Sequence, residues 1–104
     1  MRIMVRFSFP VEDGNELIST GRIGQIIQMF TEEVKPEAAY FFLDGGERGG
    51  LFVVNMQDGS EVALVAERLF HGLNASIEMT PVMTGEDLQK AMGSNMEGIV
   101  KRFG

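Results

Sequence analysis

Two consecutive segments of strand length in the middle of the chain, Ala38–Leu43 and Leu51–Met56, are apolar at both sets of alternating positions. Successive side chains of a β-strand point to opposite faces of the sheet, so neither segment has a polar face to offer to water. Both faces of the sheet that contains them must therefore be covered. The glycine-rich segment between them, residues 44–50, is predicted to be a hairpin loop.

The rest of the chain alternates between strand and helix periodicity. Strands are predicted over residues 2–9 and over about 75–82. A turn at Asp13-Gly14-Asn15 is predicted to lead into a helix that ends before Pro36, and a second helix is predicted from an N-cap at Ser60 to about Gly72. The apolar faces of the two helices consist of the following residues: Ile23, Ile26, Ile27, Phe30 and Val34 in the first, and Val62, Val65, Ala66, Leu69 and Leu73 in the second.

The C-terminal part of the chain carries a third helical pattern. The segment Thr84-Gly85-Glu86-Asp87 resembles a capping box, with Asp87 where Glu or Gln is usual. An apolar stripe then continues to the end of the chain: Leu88, Met92, Met96, Ile99 and Phe103. This stripe predicts either a helical extension docked on another surface or a frayed end.

The predicted order is strand, helix, strand, strand, helix, strand, followed by an extra helix. This is the βαββαβ arrangement of ferredoxin-like α+β folds, for which right-handed crossovers give an antiparallel sheet of order 4-1-3-2 with both main helices on one face. With 104 residues the chain is expected to form a single domain, with a core at residues 2–83 and an extension at 84–104.

The sheet face that the helices leave uncovered is expected to be partly apolar. Its predicted residues are Met4, Arg6, Ser8, Glu78 and Thr80, with Tyr40/Phe42 or Ala39/Phe41/Leu43 from one central strand and Phe52/Val54 or Leu51/Val53 from the other. A second copy of the same sheet is the most economical cover, so we expect a homodimer.

This pattern resembles the dimeric α+β barrel superfamily, in which two ferredoxin-like subunits pack sheet against sheet. More locally, residues 4–10, Lys35–Phe41, Leu73–Ala75 and Thr80–Thr84 resemble those of small bacterial members of that superfamily that have no assigned reaction. The superfamily includes isomerases, cofactor-free monooxygenases, haem-degrading enzymes and ligand-sensing modules, so the resemblance implies a fold and a dimer without selecting one function.

Charge and cysteine content exclude several classes of function. The net charge is −6, and the basic residues do not form a stripe, so neither nucleic acid nor a membrane is an expected partner. No segment is long and apolar enough to span a bilayer. The chain has no cysteine and no signal-peptide pattern, and we expect it in the cytoplasm. We expect no cofactor and no metal site, because the single histidine, His71, fits the last turn of a helix.

Two side chains are the candidates for catalysis. Arg6 and Glu78 are predicted to lie on neighbouring strands of the uncovered face, where they form a structural ion pair or, alternatively, an anion anchor and a proton acceptor. The candidate ligand-binding residues are Ser8, Thr20, Tyr40 and Phe42. Thr20, together with Ser19, faces inward only if the first helix is regular back to Glu16.

Two functions are consistent with these residues. The first is a homodimer that binds a small apolar or acidic metabolite between sheet and helices. The alternative is a cofactor-free isomerase or monooxygenase acting on an aromatic or lactone compound, in which Arg6 orients the anion, Glu78 moves a proton and Tyr40 and Phe42 flank the ring. No known catalytic motif decides between them.

Overall fold

The computed structural model describes the whole chain, residues Met1–Gly104, and contains four strands and five helices. The elements are β1 (Arg2–Phe9), α1 (Val11–Ser19), α2 (Arg22–Val34), β2 (Ala38–Asp44), β3 (Glu47–Asn55), α3 (Ser60–Leu73), β4 (Ser76–Pro81), α4 (Gly85–Met92) and α5 (Met96–Phe103). The strands form one antiparallel sheet in the order β2-β3-β1-β4, which is the predicted 4-1-3-2 order seen from the other edge. The ferredoxin-like α+β fold is confirmed.

The hydrophobic core lies between one face of this sheet and helices α2 and α3. Phe52 is fully buried at its centre, with its ring 5.2 Å from that of Phe7 and 4.4 Å from that of Phe30. The other core residues are Ile3, Val5, Phe9, Ile26, Val54, Met56, Val65, Leu69, Leu73 and Ala75. Ile77 and Met79 of β4 pack against this core, as their alternation predicts.

Helix α1 occupies a segment for which the sequence predicts a turn. The chain becomes helical directly after Pro10, and Asp13 and Gly14 lie inside the helix. Glycine allows close packing there, since a Cβ at position 14 would lie 2.5 Å from Nη1 at the end of the Arg48 side chain and 3.0 Å from Cε2 of Phe9. The prediction of a turn at residues 13–15 is wrong, because Gly14 lies buried inside a helix, where its missing side chain leaves room for Arg48 and Phe9.

Gly21 separates α1 from α2. Its φ of 75° is in the left-handed region, which glycine adopts without steric cost and which interrupts a right-handed helix. The predicted single helix reaching back to Glu16 is thus two helices. As a result Ser19 and Thr20 are exposed at the end of α1 and do not face the core.

The hairpin between β2 and β3 is tighter than the sequence predicts. Only Gly45 and Gly46 form the turn, with φ of 59° and 86°, as in a two-residue type I′ turn. The predicted loop over residues 44–50 is wrong, and Gly49 and Gly50 are strand residues. A Cβ on Gly49 would overlap the carbonyl oxygen of Phe7 on the neighbouring strand, so this position needs a glycine.

Helix α3 begins without the predicted Ser60 cap. The carboxylate of Asp58 accepts a hydrogen bond of 2.8 Å from the Ser60 amide, which lowers the pKa of Asp58. Glu61 also accepts hydrogen bonds from the amides of Gln57 and Asp58. Val62, predicted to be buried, is 46% exposed, because it lies about one turn before Val65, which is the first buried residue of the helix.

The C-terminal extension is helical to Phe103. The capping box at its start is confirmed: Thr84 Oγ1 accepts from the Asp87 amide at 3.1 Å, and Asp87 accepts from the Thr84 amide at 2.9 Å. Neither α4 nor α5 contains a buried residue. The molecule is accordingly elongated, with dimensions of 59 × 28 × 20 Å. None of its helices has the length and apolar character needed to cross a membrane.

Candidate functional site

The strand register brings most of the predicted site residues to the uncovered face of the sheet. One row across this face runs from Tyr40 through Leu51 and Arg6 to Glu78. The next row contains Phe42, Gly49, Ser8 and Ser76 in the same strand order. The register therefore selects, from the alternatives that the sequence leaves open, Tyr40/Phe42 and Leu51/Val53 as the uncovered set.

Arg6 is directly opposite Glu78 in the β1–β4 register, as predicted. Its guanidinium, however, turns toward the other edge of the sheet and donates from Nε to Asp44 at 3.0 Å. It also lies 5.1 Å from the ring centroid of Phe42.

The charge of Arg6 is already compensated within the chain. The hydrogen bond and charge of Asp44, and to a smaller degree the charge of Glu78, raise the pKa of Arg6 above its ordinary value. Such a guanidinium remains protonated, but an incoming anion would have to compete with two carboxylates. Arg6 is thus a weaker anion anchor than its predicted role requires.

A polar cleft of about 380 Å³ adjoins this ion pair. Its polar lining residues are Arg6, Ser8, Asp44, Ser76 and Glu78. The cleft is open to solvent in the single chain. It contains two hydroxyl groups, two carboxylates and a guanidinium, which are groups that position a polar ligand or move a proton.

Thr20 does not belong to this cleft. Its hydroxyl donates to the carbonyl of Glu16 at 2.9 Å, at the end of α1. It lines a separate surface depression that also includes Arg22, His71 and Asn74. The inward placement expected for Thr20 required a continuous helix, and the break at Gly21 removes it.

A second concave site lies on the helix-covered side of the sheet, between α2 and the outer strand β2. It is an apolar groove of about 350 Å³. The lining residues that alternate to this side of the sheet or belong to α2 are Phe7, Phe9, Ile23, Ile27, Phe41, Leu43 and Arg48. Phe42 and Gly49, which alternate to the uncovered face, also border the groove. Phe41 and Leu43 are 59% and 79% exposed, because α2 does not extend over the edge strand.

The only charged residue of this groove is Arg48. Its side chain reaches α1, where Nη2 donates to the Asn15 side-chain oxygen at 3.0 Å and Nη1 donates to the Val11 carbonyl at 3.3 Å. Both acceptors are neutral, and Arg48 makes no ion pair, unlike Arg2, Arg6 and Arg68. Arg48 is therefore a held, half-buried cation with free capacity for an anion.

Sequence reasoning missed Arg48 because it assigned the residue to a loop. A two-residue turn at Gly45-Gly46 pairs Arg48 with Leu43 across the hairpin. That register places Arg48 on the same face as the core residue Phe52. The Gly45-Gly46 pair, which is typical of a two-residue hairpin turn, was the sequence signal that could have placed Arg48 in a strand.

His71 lies in the last turn of α3, as predicted, and its Nε2 is 3.0 Å from Glu67. It is highly exposed, with 84% of its side chain in contact with solvent. No three histidine, aspartate or glutamate side chains converge in a way that could hold a metal ion. His71 is thus accounted for by the helix dipole and an intrahelical contact.

Comparisons with known proteins add little about function. No protein-family model and no curated protein matches this sequence. Among solved structures, a formyltetrahydrofolate deformylase from Pseudomonas putida is similar at 13% identity and a TM-score of 0.45. The match covers 78% of this chain and 28% of the deformylase. A likeness at this level carries no functional argument.

Proposed function

We propose that this protein binds a small apolar compound that carries a carboxylate, and holds it in the groove between the sheet and helix α2. The observation that supports this function is the combination of an apolar groove with a positioned cation whose partners are neutral. Aromatic and aliphatic walls from Phe41, Leu43 and Ile27 contact the apolar part of the ligand, and Arg48 pairs with its carboxylate.

The volume of the groove limits the size of the ligand. About 350 Å³ accommodates one or two fused rings or a branched chain of similar bulk. Because the groove is open along β2, longer ligands would extend into solvent past Leu43.

A pair of probes that differ only in charge tests this function. Titration with 2-naphthoic acid and with the neutral 2-naphthalenemethanol, followed by isothermal calorimetry or protein-observed NMR, separates the contribution of the carboxylate. A charge-assisted contact contributes about 1.5–3 kcal/mol, so Arg48→Gln is expected to weaken binding of the acid by roughly 10- to 100-fold. Binding of the alcohol should be unchanged.

Arg22→Gln is the matched control, because Arg22 is an arginine outside the groove that also has no ion pair. Arg48→Lys keeps the positive charge and is expected to restore part of the affinity. Equal binding of acid and alcohol to the native chain, or equal acid binding to Arg48→Gln and native protein, would contradict the proposed function. The unfolding midpoint of each variant shows whether the contact between Arg48 and α1 was lost as well.

The same proposal includes a homodimer formed by the uncovered sheet face, which follows the superfamily resemblance. Tyr40 is 65% exposed on this face, and Leu51, Val53 and Met4 lie beside it, half-buried. A continuous apolar area of this kind supports packing against a second sheet. Sedimentation velocity is expected to give twice the chain mass for the native protein and for Ala63→Glu on the exposed side of α3, and a monomer for Leu51→Glu. A native monomer would contradict the dimer and leave the groove, which lies within one chain, to be tested by itself.

The polar cleft beside Arg6 gives some support to the alternative function, a cofactor-free isomerase or monooxygenase. That function needs Arg6 to bind an anion while the Arg6 guanidinium is still paired with Asp44. It also needs a second sheet to close the cleft. The cytoplasmic location stays a prediction.

A further inference from the structure

The C-terminal arm, residues 84–104, has no partner within its own chain. Its apolar side chains are exposed, including Met92 at 57%, Val100 at 61% and Phe103 at 79%. Every hydrogen bond and ion pair of the arm joins two arm residues. The arm is therefore a pair of amphipathic helices with an unpacked apolar stripe.

The junction between arm and body directs the arm away from the molecule. The body, residues 1–83, ends in a short segment that is held in place by a hydrogen bond of 3.1 Å from the Val82 amide to the Arg2 carbonyl. The capping box at Thr84 then starts α4. The radius of gyration is 17.4 Å, whereas a compact domain of this length has about 13 Å. In this arrangement the arm extends away from its own body and does not pack on it.

Charge favours an acidic protein surface as the partner. The body contains twelve acidic and six basic residues, so it carries the whole net charge of −6, while the arm contains three of each and is neutral. The last turn of α5 presents Arg102 next to Phe103, and Lys101, which contacts Glu97 of the same helix at 3.6 Å, adds a second positive charge there. A second copy of the body supplies the acidic surface that this end of the arm fits.

We propose that the arm docks on the body of a second copy of this chain, in a reciprocal exchange of arms. Each arm exposes five large apolar side chains, and Met96 in the same stripe is half-buried: the five are Leu88, Met92, Ile99, Val100 and Phe103. With two arms and two receiving surfaces, docking would remove about 1,500–2,000 Å² from solvent, the size of a standard specific interface. In a symmetric exchange, the apolar stripes of both chains are covered within one dimer. An unrelated partner that binds a single arm covers only one stripe.

Paramagnetic relaxation tests the exchange, because the chain has no cysteine and accepts a single engineered label. A Gly104→Cys chain at natural isotope abundance carries a nitroxide and is mixed with unlabelled 15N chain. Only contacts between two chains broaden the 15N signals. We expect broadening of body amides in the 15N chain, and the broadened residues identify the receiving surface.

Two variants of the labelled chain provide the contrast. Ile99→Asp places a charge in the stripe and is expected to reduce the relaxation enhancement at least tenfold. Gln89→Asp adds the same charge on the polar side of α4 and is expected to change it less than twofold. Circular dichroism confirms that both chains keep their helices.

Three results would overturn the exchange of arms. Broadening confined to the body of the labelled chain itself, prepared in 15N form, would show that the arm folds back. No broadening in either experiment would leave the arm without a protein partner. Immobilisation of the nitroxide only after addition of phosphatidylglycerol vesicles would assign the stripe to an anionic membrane surface.

Discussion

Two phenylalanines in one aromatic cluster should differ sharply in their contribution to stability. Phe41 and Phe52 pack edge to face with ring centroids 6.1 Å apart, but Phe52 is fully buried and Phe41 is 59% exposed. Truncation of a fully buried phenylalanine costs about 3–5 kcal/mol. Phe41 buries about two-fifths of its surface, so Phe41→Ala should cost only about 1.5 kcal/mol on an area basis.

Urea unfolding followed by far-UV circular dichroism measures both values, since the chain has no tryptophan and one tyrosine. With a total stability of about 5–15 kcal/mol, Phe52→Ala is expected to shift the midpoint strongly or to leave little folded protein, while Phe41→Ala remains folded with an unchanged slope. If Phe41→Ala were as costly as Phe52→Ala, Phe41 would be a core residue. The groove would then be closed in solution, and the reasoning that makes Phe41 a ligand contact would be refuted.

Two further predictions concern the helix boundaries. Gly21→Ala is expected to destabilise the protein by about 1–2 kcal/mol, because φ is 75° there, whereas Gly24→Ala, in an open helical position, should be neutral or slightly stabilising; equal unfolding midpoints for the two variants would contradict this. Hydrogen bonds from the Thr84 backbone and side chain lower the pKa of Asp87 below its usual 3.8. The ionised cap therefore stabilises α4 fully at pH values above the Asp87 pKa of the unfolded chain. This stabilisation is lost as the pH falls through the lower Asp87 pKa of the folded chain. NMR secondary shifts of α4 should therefore decrease only below about pH 4 in the native chain, and Asp87→Asn should abolish that pH dependence; an unchanged titration in the variant would show that another group controls it.

The sheet was largely predictable because a period of two residues is a local signal. Alternation in β1 and β4 assigns Arg6 and Glu78 to one face and Val5 and Ile77 to the other, and the structure agrees. In the central hairpin both alternating sets are apolar, so the pattern could not choose a face. The choice comes from the two-residue turn at Gly45-Gly46, which sets the register of β2 against β3.

The errors share one physical origin, since glycine has several structural uses that a sequence does not distinguish. Gly14 lies in a helix, where its missing side chain leaves room for the movable end of Arg48, and Gly49 lies in a strand, where the Phe7 carbonyl leaves no space for a Cβ. Only Gly21 and the turn glycines are selected for a positive φ. Assigning residues 13–15 to a turn hid α1, and assigning residues 44–50 to a loop left Arg48 and Asp44 out of the candidate site residues. Gly21 shows the opposite error, since it was placed inside a helix that it interrupts.

The alternation of β2 allows the two parts of the proposed function to be separated with neighbouring side chains. Tyr40 and Phe41 are similarly exposed aromatic residues, at 65% and 59%, but Tyr40 points to the uncovered face and Phe41 into the groove. Tyr40→Ala is expected to weaken the dimer by roughly 10-fold or more, as for an aromatic residue central to an interface, and to leave 2-naphthoic acid binding unchanged. Phe41→Ala should have the opposite pair of effects. If both variants lost dimer and ligand together, the ligand would have to bind at the contact between two sheets, and the groove beside Arg48 would be only a feature of the surface.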